Sequence, residues 1–172
     1  QADELPMKAE APITLTSPSA ILCEASTGQV IFEKNADERR PVASVNKVMT
    51  ILLTLEAVDE GRVSLEDQVT VSPRAASMGG SQAFLDAGER YPLGELLKTV
   101  IVASANDSAV AIAEHLAGAE EAFVKLMNAR ADELGLQNTH YVNCTGLPAA
   151  GHLTSAHDIA LMSRELILNH PG

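Results

Sequence analysis

The sequence predicts an α/β domain in which a cluster of apolar helices lies beside an antiparallel sheet that is incomplete within these 172 residues. Three observations predict this class. Two short strand patterns flank a glycine turn near the N-terminus, five later segments repeat apolar residues at helical spacing, and few other strand patterns occur. Two or three strands are too few to cover so many apolar helices. The length is sufficient for one hydrophobic core without disulfides or metals.

The strands begin after a proline-containing stretch. Residues 1–18 are predicted to be an extended lead-in, because prolines, acids and Ser/Thr dominate it. The first two strands are predicted over 19–25 and 29–33, joined by a tight turn at Thr27 and Gly28. A third short strand is predicted over 69–71. A loop region over 74–88 follows it.

The helices dominate the rest of the chain. The first, over 42–58, is apolar nearly all round from 48 to 55, which places it in the middle of the domain. Any residue at its N-terminus then stands on a rigid, buried support. The remaining helices are predicted over 93–103, 108–116, 119–134 and 155–168, with a break at 104–107.

The net charge of −11 argues against two classes of partner. Without a basic run, the chain offers no electrostatic footprint for nucleic acid or an anionic membrane surface. The first twenty residues also lack the basic region and apolar core of a signal peptide. Cys23 and Cys144 have no metal or redox spacing, which predicts free thiols, and the five histidines form no metal-binding pair. We therefore expect no metal and no cofactor.

Ser44 and Lys47 form the first candidate site. A spacing of three residues at the start of a helix places the hydroxyl and the amine on one face. A serine nucleophile needs a nearby base, and a lysine can serve if burial and neighbouring positive charge depress its pKa. By composition alone, about 0.35 matches to Ser-x-x-Lys are expected by chance in such a chain. The pair by itself is therefore a weak signal.

Ser104 and Asn106 form the second candidate site, between two apolar helices. Polar groups buried there need hydrogen-bond partners. The simpler interpretation is that one of the two residues caps the N-terminus of the next helix.

Both motifs, in this order, occur in β-lactamases and penicillin-binding proteins. The chain resembles the low-molecular-mass serine D-alanyl-D-alanine carboxypeptidases in particular, and the resemblance extends from about residue 19 onward. It implies a β-lactamase/transpeptidase-like fold over 19–172. The segments that carry the resemblance are 41–50, 80–85, 88–89, 102–109, 123–128, 134–136, 138–140 and 143–147.

The resemblance also implies a function and a role for each candidate residue. Ser44 would be the nucleophile, Lys47 its general base and Ser104 a proton relay to the leaving amine. Asn106 would bind the substrate backbone and help to hold Lys47. The implied partners are the peptidoglycan stem pentapeptide and β-lactam antibiotics, and the implied location is extracytoplasmic, in the cell wall or periplasm.

The third motif of that family, Lys-Thr-Gly, does not occur in the sequence. Lys98-Thr99-Val100 comes closest, but it lacks the glycine and falls within a predicted helix. The chain as given ends at Gly172, before the strand that carries this motif in the family. We expect a fragment that is inactive or weakly active, with any membrane anchor in a segment outside it. Asn46 stands where the family often has threonine.

Two rival interpretations stay open. A class A β-lactamase shares the nucleophile and the lysine but deacylates with a glutamate-activated water. The spacing of Glu165 and Asn169 imitates that glutamate loop, although it falls within a predicted amphipathic helix. The second rival is a catalytically silent peptidoglycan-binding module that retains the fold.

Overall fold

The computed structural model describes residues 14–171. Most of the lead-in predicted over 1–18 lies outside the described residues. Its described part, 14–18, is neither helix nor strand, and the Lys34 ammonium donates to the carbonyls of Leu15 and Ser17 at 2.8 Å each.

The predicted N-terminal hairpin is present. Strand β1 (Ala20–Cys23) pairs antiparallel with β2 (Val30–Lys34). The turn needs glycine at position 28, where φ is +76°, because L side chains rarely adopt that conformation. The Glu24 carboxylate accepts hydrogen bonds from Ser26 and Thr27, and these bonds lower its pKa to about 2.

The first helix differs from its prediction at the N-terminus. A 3-10 turn spans Ala43–Asn46, and only then does α1 (Lys47–Asp59) begin. The central position of the helix is confirmed, since no residue from 46 to 58 is exposed. The side chain of Asn46 is fully buried at the junction.

The middle of the chain forms a second antiparallel pair rather than an extension of the first. Strand β3 (Gln68–Thr70) pairs antiparallel with β4 (Arg90–Pro92). The short helix α2 (Pro73–Ala76) comes between these two strands in the sequence. The predicted loop over 74–88 missed α2, and β4 was not predicted. A three-residue strand carries too little periodicity to be recognised from sequence. Within residues 14–171 the sheet is thus two separate two-stranded pieces.

Four further helices complete the described structure. They are α3 (Leu93–Ala103), α4 (Asn106–Ala117), α5 (Glu120–Glu133) and α6 (Ala156–Asn169). Helix α4 is the core element, because residues 109–113 are all fully buried and their side chains are mostly small. Small side chains allow the neighbouring helices to approach closely. Among the described residues, no helix combines the length and apolarity that a membrane crossing requires.

Candidate active site

Ser44 lies in the 3-10 turn that precedes α1, and it is exposed. The turn is strained, because Ala43 has a φ of +49°, in the left-handed region. Gly146 packs directly against this backbone. A Cβ atom on Gly146 would lie 2.0 Å from the Ala43 carbonyl oxygen and 3.1 Å from the Ser44 nitrogen. The turn is therefore held in place by a neighbour that has no side chain.

The amine of Lys47 is the centre of the site. Nζ is 2.9 Å from Ser44 Oγ, 3.2 Å from Ser104 Oγ and 2.8 Å from the Thr145 carbonyl oxygen. The residue is only 2% exposed. These three partners use every donor of an ammonium group, whereas a neutral amine would have a lone pair free to accept a proton.

Burial lowers the pKa of Lys47 from 10.5 to about 8. The sequence predicted that burial and positive charge would lower this pKa. In the structure the lowering comes from burial. About a tenth of the molecules then carry a neutral Lys47 at pH 7. A neutral amine 2.9 Å from a hydroxyl can take its proton as the hydroxyl attacks a carbonyl carbon.

Ser104 and Asn106 reach the site by different routes. Ser104 ends α3 in the left-handed conformation, with a φ of 55°, and this brings its hydroxyl to Lys47. Asn106 is buried, and its Nδ2 donates to the Gly79 carbonyl at 2.8 Å. The capping interpretation is wrong, because the N-cap of α4 is Ala105, with no side-chain cap. Between Asn106 and Lys47 the described structure contains no hydrogen bond.

Asp107 holds the loop that borders Asn106. Its carboxylate is 1% exposed and accepts hydrogen bonds from the backbone N–H groups of Ala83, Leu85 and Ser108. The loop between them carries Phe84 at a φ of 59°, with its side chain 82% exposed. No pattern in the sequence had indicated this role for Asp107.

The loop over 143–147, the Asn143 loop, also belongs to the site, although the sequence identified it only as a segment that resembles the family and assigned no role to its backbone. Its Thr145 carbonyl binds Lys47, and its Cys144 carbonyl accepts from Thr50 Oγ1 at 2.9 Å. Asn143 closes the loop, since its Oδ1 accepts from Gly146 N at 2.8 Å and its Nδ2 donates to the Leu147 carbonyl at 2.9 Å. An Asn-x-x-Gly sequence is a turn signal, and this was the available clue.

The predicted thiols are free, as expected: Cys144 is buried and Cys23 half-buried. Burial and the nearby Glu120 raise the pKa of Cys144 well above 9.0. Its thiol is thus protonated at neutral pH beside the site.

Among residues 14–171, one group of side chains could hold a metal ion, at the other end of α1. Ligand atoms of Glu56, Glu165 and His170 lie within 4.8 Å of one another. Arg130 already supplies a positive charge there, at 2.6 Å from Glu56 and 3.6 Å from Glu165. At 1.5 Å per residue, Glu56 is about 14 Å along the helix from Lys47, so this group does not belong to the site.

The two sequences that imitate family motifs both lie in helices. Lys98-Thr99-Val100 is in α3, where Lys98 is exposed and bonded to Glu95. Glu165 is in α6 and pairs with Arg130. Among the described residues, neither forms a hydrogen bond or an ion pair with Ser44 or Lys47.

The sequence and the fold are both similar to those of known proteins. The family described as D-alanyl-D-alanine carboxypeptidase matches residues 6–172. The D-alanyl-D-alanine carboxypeptidase DacF of Bacillus subtilis is 51% identical over 149 residues, which are 87% of this chain and 38% of that protein.

Two solved structures have the same fold. The D-alanyl-D-alanine carboxypeptidase DacD of Francisella tularensis superposes with a TM-score of 0.93 at 36% identity, over 99% of this chain and 41% of that one. Penicillin binding protein 5 of Haemophilus influenzae superposes with a TM-score of 0.90 at 31% identity, over 93% of this chain and 47% of that one. The chain thus spans less than half the length of these relatives.

Proposed function

Because this chain belongs to the D-alanyl-D-alanine carboxypeptidase family, we propose that it carries the acylation centre of a serine enzyme that removes the terminal D-alanine from peptidoglycan stem pentapeptides. The observation that supports this most directly is the 2.9 Å contact between Lys47 Nζ and Ser44 Oγ, with the amine buried. Substrate and activity follow the family. The proposed roles of the individual residues rest on the geometry of four side chains, those of Ser44, Lys47, Ser104 and Asn106.

In the proposed reaction, Ser44 Oγ attacks the carbonyl carbon of the penultimate D-alanine while Lys47 takes the hydroxyl proton. The oxyanion that forms lies against the backbone N–H of Ser44. The C–N bond then breaks, and the leaving D-alanine amine receives its proton from Lys47 through the Ser104 hydroxyl. The acyl group stays on Ser44 as an ester until a water molecule hydrolyses it.

Asn106 is proposed to bind the backbone of the substrate. Its bond to the Gly79 carbonyl fixes the orientation of the amide and uses one of its donors. The second N–H and Oδ1 remain for a peptide group. The family resemblance implied that Asn106 also helps to hold Lys47. We assign that role instead to the Thr145 carbonyl, which accepts from Nζ at 2.8 Å.

The rival functions can be distinguished by whether a penicillin stays bound to Ser44, is hydrolysed or does not react. A carboxypeptidase centre of this type is expected to hold the opened drug on Ser44 for minutes, whereas a β-lactamase hydrolyses it rapidly and a silent module never reacts. Helix α6 disfavours the lactamase, because its Glu165 pairs with Arg130 and makes no described contact with Lys47 or Ser44. Fluorescent penicillin followed by gel and by product release measures the outcome. A drug that is turned over within seconds would contradict the proposal.

The 172 residues alone are expected to acylate slowly. Their sequence contains no Lys-Thr-Gly. The family resemblance implies that the strand with this motif supplies a second backbone N–H to the oxyanion and a cationic group to the terminal carboxylate of the substrate, and both are absent from these residues. Loss of one oxyanion donor costs about 10²- to 10³-fold in turnover. Acylation by these residues should therefore be followed over hours at high penicillin concentration.

The rate of acylation should depend on pH through Lys47. Because burial places its pKa at about 8, the rate should rise about tenfold per pH unit below that value and level off above about pH 8.5. Labelling rates between about pH 6 and 10 measure this profile. A rate that continues to climb to pH 10 would show that Lys47 keeps its ordinary pKa, and a rate that does not change between about pH 6 and 8 would contradict the proposed base.

The proposed partners are the stem peptide and β-lactam antibiotics, since relatives carry the name penicillin-binding protein. The proposed location is extracytoplasmic, where peptidoglycan is found. The net charge of −11 gives no support for nucleic acid as a partner.

A further inference from the structure

His152 is buried outside the site yet bonded to the backbone that leads into it. The residue is 3% exposed. Its Nδ1 accepts from the backbone N–H of Val142 at 2.9 Å and lies 3.4 Å from that of Asn143. Because both partners are donors, Nδ1 must be the unprotonated nitrogen and Nε2 carries the proton. Only the neutral ring in this tautomer fits.

The contacts continue from His152 to Lys47 in three steps. His152 holds the N–H of Asn143, the side chain of Asn143 closes the Asn143 loop on Gly146, and the Thr145 carbonyl in that loop accepts from Lys47 Nζ. Each step is a hydrogen bond of named atoms. Gly146 adds a second route, because it packs against the backbone of Ala43 and Ser44.

We propose that His152 is a positioning residue of the acylation centre: as a neutral imidazole it holds the Asn143 loop, and through that loop it orients Lys47 and Ser44. This proposal rests on Lys47 being the base proposed above. Protonation of the ring would place a third donor against two N–H groups and release the loop. The proposal therefore predicts a site that loosens reversibly in acid.

Burial lowers the pKa of His152 from 6.5, and the neighbouring His140 lowers it further. Tyr141 faces the ring edge-on, with centroids 5.8 Å apart, and its own pKa is raised by burial and by Asp158. Within the described residues no carboxylate offsets these effects on His152. A group whose folded pKa is lowered loses its stabilising contribution as the pH falls from about 6.5 through the folded value.

Two substitutions distinguish the effect of the accepting nitrogen of His152 from the effect of the volume of its ring. In His152→Asn the side-chain oxygen can occupy the place of Nδ1 and accept from the same N–H groups without titrating. In His152→Leu the bulk remains but the acceptor is lost. The readouts, made on the intact 172-residue chain, are the amide NMR shifts of Asn143 and Gly146, the titration of Lys47, and the penicillin acylation rate against pH.

We expect His152→Leu to lower acylation about 10- to 100-fold, the scale of a misplaced catalytic group, and to raise the pKa of Lys47 towards 10.5 as water enters. His152→Asn should stay within about threefold of the wild type. As the pH is lowered below about 6.5, the loop amide shifts should move in the wild type and not in His152→Asn. This acid comparison decides the matter even if His152→Leu does not fold.

Unchanged amide shifts and Lys47 titration in a folded His152→Leu would overturn the proposal. So would equal damage by both substitutions, because ring packing rather than the acceptor would then be responsible. If wild-type Ser44 never acylates, the proposed function fails, whereas the amide shifts and the Lys47 titration still test the positioning role.

Discussion

Replacing Lys47 by methionine should lower the rate of Ser44 acylation by about 10²- to 10⁴-fold, the range that general bases contribute. Methionine keeps an unbranched side chain as far as Cε and removes the amine that lies 2.9 Å from Ser44 Oγ. The residual rate should also lose its rise towards pH 8, because that rise reports the titration of Lys47. Stopped labelling with a fluorescent penicillin measures both effects.

The matched control is Lys98→Met. Lys98 is 70% exposed in α3 and pairs with Glu95, so the same substitution there should leave the acylation rate unchanged. Melting temperatures of both variants check that each is folded. A folded Lys47→Met that keeps a third of the wild-type rate would remove Lys47 from the mechanism.

The second large effect is expected from Gly146→Ala. The new methyl group would lie 2.0 Å from the Ala43 carbonyl oxygen, and the backbone φ of +85° disfavours alanine. The left-handed conformation and the forced displacement together should cost about 2–5 kcal/mol of unfolding free energy. Since the displaced backbone carries Ser44, acylation should fall at least about 10²-fold. Urea unfolding measures the loss of unfolding free energy, and penicillin labelling measures the loss of acylation rate.

Gly135→Ala separates conformational strain from the clash. Gly135 has a φ of +72° and no atom within 4 Å of its missing Cβ. It should lose about 1–2 kcal/mol and acylate at the wild-type rate. If the two glycine variants were equally stable and equally reactive, Gly146 would not hold the nucleophile.

Much of the fold could be predicted because helical periodicity is a strong signal. Helix α3 has the predicted bounds, and the apolar run of α1 correctly indicated a central helix. The ends were less well predicted. The 3-10 turn that carries Ser44 depends on Gly146, about a hundred positions away, and no local pattern encodes that contact.

The candidate site could be predicted only where side chains carry the chemistry. Ser44 and Lys47 are three residues apart, so their spacing placed the hydroxyl beside the amine, and the second motif together with the family resemblance identified the pair as a site. The Thr145 carbonyl is 98 positions from Lys47, and a backbone acceptor has no residue type by which a sequence could indicate it. Asp107 and His152 act on backbone N–H groups in the same way. Their roles emerge only when the fold brings those groups together.

We expect Ser44 to be the residue that becomes acylated. The direct measurement is mass spectrometry of the 172-residue chain after long incubation with a penicillin, with the adduct mapped to a single peptide. We predict one drug molecule on Ser44, and none in Ser44→Ala with its fold retained. A chain that never gains the mass of the drug, or an adduct on another residue that persists in Ser44→Ala, would contradict the account.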